Sequence, residues 1–70
     1  MNLKVNGEVR VLIPIQSPPN LTAVVKALGH QPQLVVVELN GVIITPTEWD
    51  KQEVKDGDNI EIVTVVGGGN

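Results

Sequence analysis

Asn6-Gly7 lies between two short runs in which apolar and polar residues alternate, and no other feature limits the fold of this chain so tightly. A two-residue hairpin turn needs positive φ at both central positions, which Asn tolerates and Gly adopts freely. Met1, Leu3 and Val5 alternate with Asn2, Lys4 and Asn6; beyond the turn, Val9, Val11 and Ile13 alternate with Glu8, Arg10 and Leu12. A period of two is that of a half-buried strand, so residues 1–13 are predicted to form a β-hairpin closed by Pro14.

Ser17-Pro18-Pro19-Asn20 ends one element and starts another. Proline disfavours helical geometry in the residue before it, which makes Asn20 the N-cap. Leu21, Val24, Val25 and Leu28 follow at i, i+3, i+4 and i+7, one apolar helical face, and Gly29 stands where a C-cap glycine belongs. A single helix of about two to three turns is expected. His30, just beyond it, has no second metal ligand or catalytic partner nearby, and no chemistry is assigned to it.

Leu34–Leu39 is almost continuously apolar and reads as a strand buried on both faces. Asn40-Gly41 turns it into a short return strand, Val42-Ile43-Ile44, which ends before Pro46. Thr47-Glu48-Trp49-Asp50 is expected to form one helical turn that lays Trp49 over an open end of the core. Asp56-Gly57-Asp58 is a turn that lacks the distal ligands of a calcium loop, and Ile60–Val66 is the last strand.

A chain of 70 residues forms one domain and buries only about 60% of the surface its unfolded form exposes. With no Cys and one His, neither a disulfide nor a structural metal can supplement the core. Trp49 is the sole aromatic residue, so Val, Ile and Leu must do the packing. That β-branched bias favours a sheet.

Charge excludes further classes. Residues 1–37 carry Lys4, Arg10 and Lys26 against Glu8, a balance of +2; residues 38–61 carry seven carboxylates against Lys51 and Lys55, a balance of −5. Phosphate neutralisation needs clustered Lys and Arg, so nucleic acid is not an expected partner, whereas a protein with a basic face is. Polar residues interrupt the amino-terminal segment, and no run approaches the roughly 18 apolar residues of a membrane span. A cytoplasmic location without membrane contact is expected.

In order, the elements are hairpin, helix, strand, short strand, helical turn and long strand. This order predicts an α+β, β-grasp (ubiquitin-like) fold: a mixed sheet with one main helix on one face. Residues 1–66 would form the domain and residues 67–70 a flexible glycine-rich tail. If Leu3, Val5, Val9, Val11, Ile13, Val35, Val37, Ile60 and Ile62 face the helix, the opposite face exposes Leu12, Leu34, Val36, Val63 and Val65. An exposed aliphatic patch beside an acidic rim marks a protein-docking surface.

Gly67-Gly68-Gly69 is not required by any packing argument. Glycine loses the most conformational freedom on ordering, so such a run suits a segment that works while mobile or threads a narrow passage. Several features converge here: the β-grasp order, the Val-rich third strand before Asn40-Gly41, Thr47-Glu48-Trp49, the Asp56-Gly57-Asp58 turn, and a last strand leading into glycines. Together they resemble the ThiS family, the sulfur carrier proteins of thiamine biosynthesis.

The resemblance implies a carrier, not an enzyme, whose terminal glycine carboxylate is adenylated, converted to a thiocarboxylate and used as a sulfur donor. It implies as partners an E1-like adenylating enzyme of the ThiF type, a thiazole synthase of the ThiG type, and a sulfurtransferase or cysteine desulfurase. ATP and Mg²⁺ belong to the activating enzyme, and this chain carries no cofactor, metal or catalytic residue. The residues agree, for there is no Cys nucleophile, no His paired with a base and no phosphate-cradling loop. Gly68 and Gly69 occupy the diglycine place, which makes Gly69 the expected carrier residue and Asn70 an extra residue expected to be removed before activation. Two alternatives remain open: a molybdopterin-type sulfur carrier subunit, and a β-grasp interaction module whose glycines are a frayed end.

Overall fold

A computed structural model describes residues 1–14 and 17–65. Five strands form one sheet: β1 (Asn2–Val5), β2 (Glu8–Val11), β3 (Val35–Leu39), β4 (Val42–Ile44) and β5 (Asn59–Thr64). Their order across the sheet is β2-β1-β5-β3-β4. β1 and β5 run parallel, while the pairs β1–β2, β3–β5 and β3–β4 are antiparallel. One helix, α1 (Leu21–Ala27), and two 3₁₀ turns at Pro32–Leu34 and Pro46–Glu48 complete the described elements.

Both hairpins turn as the sequence requires. Asn6 and Asn40 have φ of 50° and 52°, followed by Gly7 and Gly41 at 85° and 87°, the positive pair of a two-residue hairpin loop. α1 begins at Asn20, whose side chain accepts the Ala23 N–H at 2.8 Å. It ends in a Schellman motif: Gly29 at φ 91° lets its own N–H reach the Lys26 carbonyl at 3.0 Å and the His30 N–H reach the Val25 carbonyl at 3.2 Å.

The core lies between α1 and one face of the sheet. Leu3, Val5, Val35, Val37, Leu39, Ile60 and Ile62 from the strands meet Leu21, Val24, Val25 and Leu28 from the helix segment. Trp49 closes one end, buried as expected, with its indole N–H on the Ile44 carbonyl at 2.8 Å. Val54, inconspicuous in a polar stretch, is fully buried because its segment is stitched to the start of α1. Its N–H donates to Pro19 at 3.0 Å, and Leu21 donates to Gln52 at 2.8 Å.

The structure corrects the predicted face of β2. Val9, Val11 and Ile13 are exposed, not directed at the helix. A two-residue loop pairs Val5 with Glu8 and Leu3 with Arg10, and directly paired residues share a face. The core-facing parity therefore switches from odd residues on β1 to even residues on β2. By the same rule Leu12, which donates its N–H to the Met1 carbonyl at 2.9 Å, lies on the core side and is half-buried.

β3 also departs from expectation. Leu34 belongs to the 3₁₀ turn, and the strand alternates buried and open residues because α1 covers one face only. The last strand begins at Asn59 and its ladder ends at Thr64; Val66 lies outside the described residues.

Candidate functional site: the open sheet face and the exit of β5

β5 is the central strand and in sequence precedes the glycine run, so its neighbours set where the described chain ends, at Val65. On one side β3 pairs with β5 through Val35–Thr64, and the Val65 N–H then donates to the Leu34 carbonyl at 2.7 Å. On the other side β1 reaches only as far as Ile60. Beyond that point the turn residue Asn6 takes over: its N–H donates to the Ile60 carbonyl at 2.9 Å. Its side-chain oxygen accepts the Ile62 N–H at 2.7 Å, and its side-chain nitrogen donates to the Ile62 carbonyl at 3.2 Å. A carboxamide thus replaces one residue of strand.

The face of the sheet away from α1 carries the remaining features. Val36 pairs directly with Val63, and Leu34 and Val65 continue that ladder at the exit end; all four are exposed. Four of the five residues expected on a docking surface therefore stand together beside the exit of β5. Leu12 does not join them, since it borders an apolar groove of about 230 Å³ on the other side, between α1 and the Leu12-Ile13-Pro14 segment that follows β2. Ile43 on β4, 61% exposed and paired with Glu38, widens the patch.

Glu38 and Glu61 face each other across β3 and β5, two pairs along the ladder from Val36–Val63 and next to it on the same face. Like charges directly opposite are unfavourable in an isolated sheet, so this pair keeps a negative rim at some cost to the domain itself. Elsewhere carboxylates serve the turns. Asp58 accepts the Lys55 N–H at 2.8 Å and the Asn40 side-chain nitrogen at 3.1 Å, and Asp56 accepts the Asn2 N–H at 2.6 Å. Among the described residues no group of three His, Cys, Asp or Glu could hold a metal ion, and no helix is long and apolar enough to cross a membrane.

Gly67, Gly68 and Gly69, the expected carrier residues, lie outside the described residues. The Asn6–Ile62 clamp, the Glu38–Glu61 pair and the position of Ile43 were not anticipated. Pairing parity would have exposed the strand errors, because a two-residue loop fixes which residues face each other. Nothing in the sequence marks Asn6 as more than a turn residue.

A mixed five-stranded sheet with one covering helix, a central last strand and an open aliphatic face defines a β-grasp domain of the ubiquitin-like class. The chain belongs to the ThiS family: that family's model matches residues 3–69, a span that takes in all three glycines of the run. Members are small sulfur carriers of thiamine biosynthesis and not catalysts. The crystal structure of the thiamine biosynthesis protein (ThiS) from Geobacter metallireducens superposes with a TM-score of 0.80 at 38% identity, over 99% of this chain and 100% of that one. The solution structure from the same organism gives 0.79 at 38% identity, over 100% and 90%. Among curated sequences, the uncharacterized protein ycf40 of Trieres chinensis is 38% identical over 50 residues, 71% of this chain and 68% of its own length. The Pyropia yezoensis protein of the same name is 29% identical over 69 residues, 99% and 93% of the two chains.

Proposed function

We propose that the chain carries sulfur as a thiocarboxylate on Gly69 for synthesis of the thiamine thiazole. The carboxylate oxygen attacks the α-phosphorus of ATP on an E1-like activating enzyme of the ThiF type, and the bond to pyrophosphate breaks. A persulfide presented by a sulfurtransferase or cysteine desulfurase then attacks the acyl carbon and AMP leaves; a thiol cleaves the resulting acyl disulfide, freeing the thiocarboxylate and being oxidised to a disulfide. ATP and Mg²⁺ are ligands of the activating enzyme. The thiocarboxylate passes its sulfur to a thiazole synthase of the ThiG type, in the cytoplasm.

The observation that carries this reading is the family match running through Gly69, on a fold whose central strand leads to that residue. Glycines at 67–69 leave no Cβ to crowd the approach to the α-phosphate. Leu34, Val36, Val63 and Val65 give the partner an aliphatic surface beside the exit, with Glu38 and Glu61 available to a basic rim. Activation at Gly69 requires prior hydrolysis of the Gly69–Asn70 peptide bond.

The test is incubation of full-length and Asn70-deleted protein with a ThiF-type enzyme and ATP. Pyrophosphate release from the shortened protein, lost on Gly69→Ala, is expected, followed by a mass gain equal to exchange of one oxygen for sulfur when a sulfur donor is added. Transfer onward to thiazole synthase separates this role from a molybdopterin-type carrier. No release from either form would leave only an interaction module.

A further inference from the structure

We propose that two copies of this chain associate edge to edge through β2, antiparallel, about a two-fold axis at Val9. β2 ends the sheet, all four of its residues are exposed, and among the described residues no strand pairs with its outer side. In an antiparallel pair, residues that turn their N–H and C=O toward the neighbouring strand alternate with residues that turn them away. Met1 and Leu12 exchange both main-chain bonds, so Leu12, Arg10 and Glu8 point inward to β1. Val9 and Val11 therefore present their N–H and C=O groups to the open edge.

Charge selects the occupant and the register. With the axis at Val9, that residue exchanges two hydrogen bonds with its counterpart, and Glu8 of each copy stands opposite Arg10 of the other. With the axis at Arg10, two arginines would oppose each other. With the axis at Val11, Arg10 would face Leu12 and Glu8 would face Pro14, leaving both charges unpaired. Natural edges are usually guarded by charge that repels another strand, but alternating Glu8 and Arg10 attract a reversed copy of themselves. β4, the other edge, carries no charge with which to choose a register. The association would join two five-stranded sheets, and it leaves the Val36–Val63 ladder and the exit of β5, two strands in from the edge, uncovered.

The chain has no cysteine, so one introduced cysteine reports self-contact alone. Across a hydrogen-bonded antiparallel pair the Cα atoms stand about 5.5 Å apart, within disulfide range. Val9→Cys is expected to oxidise to a linked dimer faster than Ile43→Cys on the opposite edge, where exposure is similar at 61% against 71% for Val9. In sedimentation equilibrium, Glu8→Arg or Arg10→Glu should each raise the dimer dissociation constant about tenfold, since two attractions become two repulsions. Glu8→Arg combined with Arg10→Glu should restore it. Circular dichroism checks that each variant is folded, and the cross-linking comparison stands whether or not the charge variants fold. Equal cross-linking at both edges, no restoration by the double exchange, or a monomer at all concentrations up to about 1 mM would overturn the proposal.

Discussion

The Asn6 side chain brackets the main chain of Ile62, accepting its N–H at 2.7 Å and donating to its carbonyl at 3.2 Å. A turn residue of the first hairpin thereby fixes the last strand two residues before its ladder ends at Thr64. Asn6→Gly keeps the positive φ of the turn and removes only the clamp. It is expected to lower unfolding free energy by about 1–2 kcal/mol in urea titration and to speed amide exchange at Ile62. Unchanged exchange there would show that the carboxamide is dispensable.

Val63→Lys tests the open face. The side chain is 63% exposed, so stability should change by no more than about 0.5 kcal/mol. The KM for the carrier in adenylation should rise about tenfold, as for loss of a central interface contact, with kcat nearly unchanged. Leu12→Lys should behave in the opposite way: it perturbs the groove beside α1, costs stability and leaves KM alone.

Glu61→Lys separates the domain's stability from its docking. Replacing a like-charged cross-strand pair with an opposite one should stabilise the sheet by about 0.5 kcal/mol. The same change should slow association with the activating enzyme, most visibly at low ionic strength. A faster association would place the acidic rim outside the interface.

Trp49→Phe removes the donor to the Ile44 carbonyl and shrinks a buried ring. The expected loss is about 1–3 kcal/mol, read from the denaturant midpoint by circular dichroism. Val54→Ala should cost about 2 kcal/mol despite its setting among polar residues, because the side chain is wholly enclosed.

What could be read from the sequence was whatever local chemistry decides. The two Asn-Gly turns, the Asn20 cap, the Gly29 terminus and the apolar face of α1 depend on neighbours within a few residues, and each formed as expected. The faces of β2 were misread because alternation gives a period but not a phase across a turn. The phase came from the Val5–Glu8 pairing. Val54 and Asn6 were missed for a related reason: their partners, Pro19 and Ile62, are distant in sequence. Of the candidate site, the shared open face of Leu34, Val36, Val63 and Val65 was legible by strand parity, whereas the Glu38–Glu61 pair depended on the register of β3 against β5; Gly67, Gly68 and Gly69 lie outside the described residues.

β5 joins the two hairpins, since β1–β2 and β3–β4 have no strand pairing with each other except through it. The strand that completes the sheet is also the last of the described strands along the chain. A chain interrupted before Asn59 has two hairpins without a common sheet, and the Val36–Val63 ladder does not exist. On the proposed function, an activating enzyme that docks on that ladder would engage only chains in which β5 has been made and paired with β3.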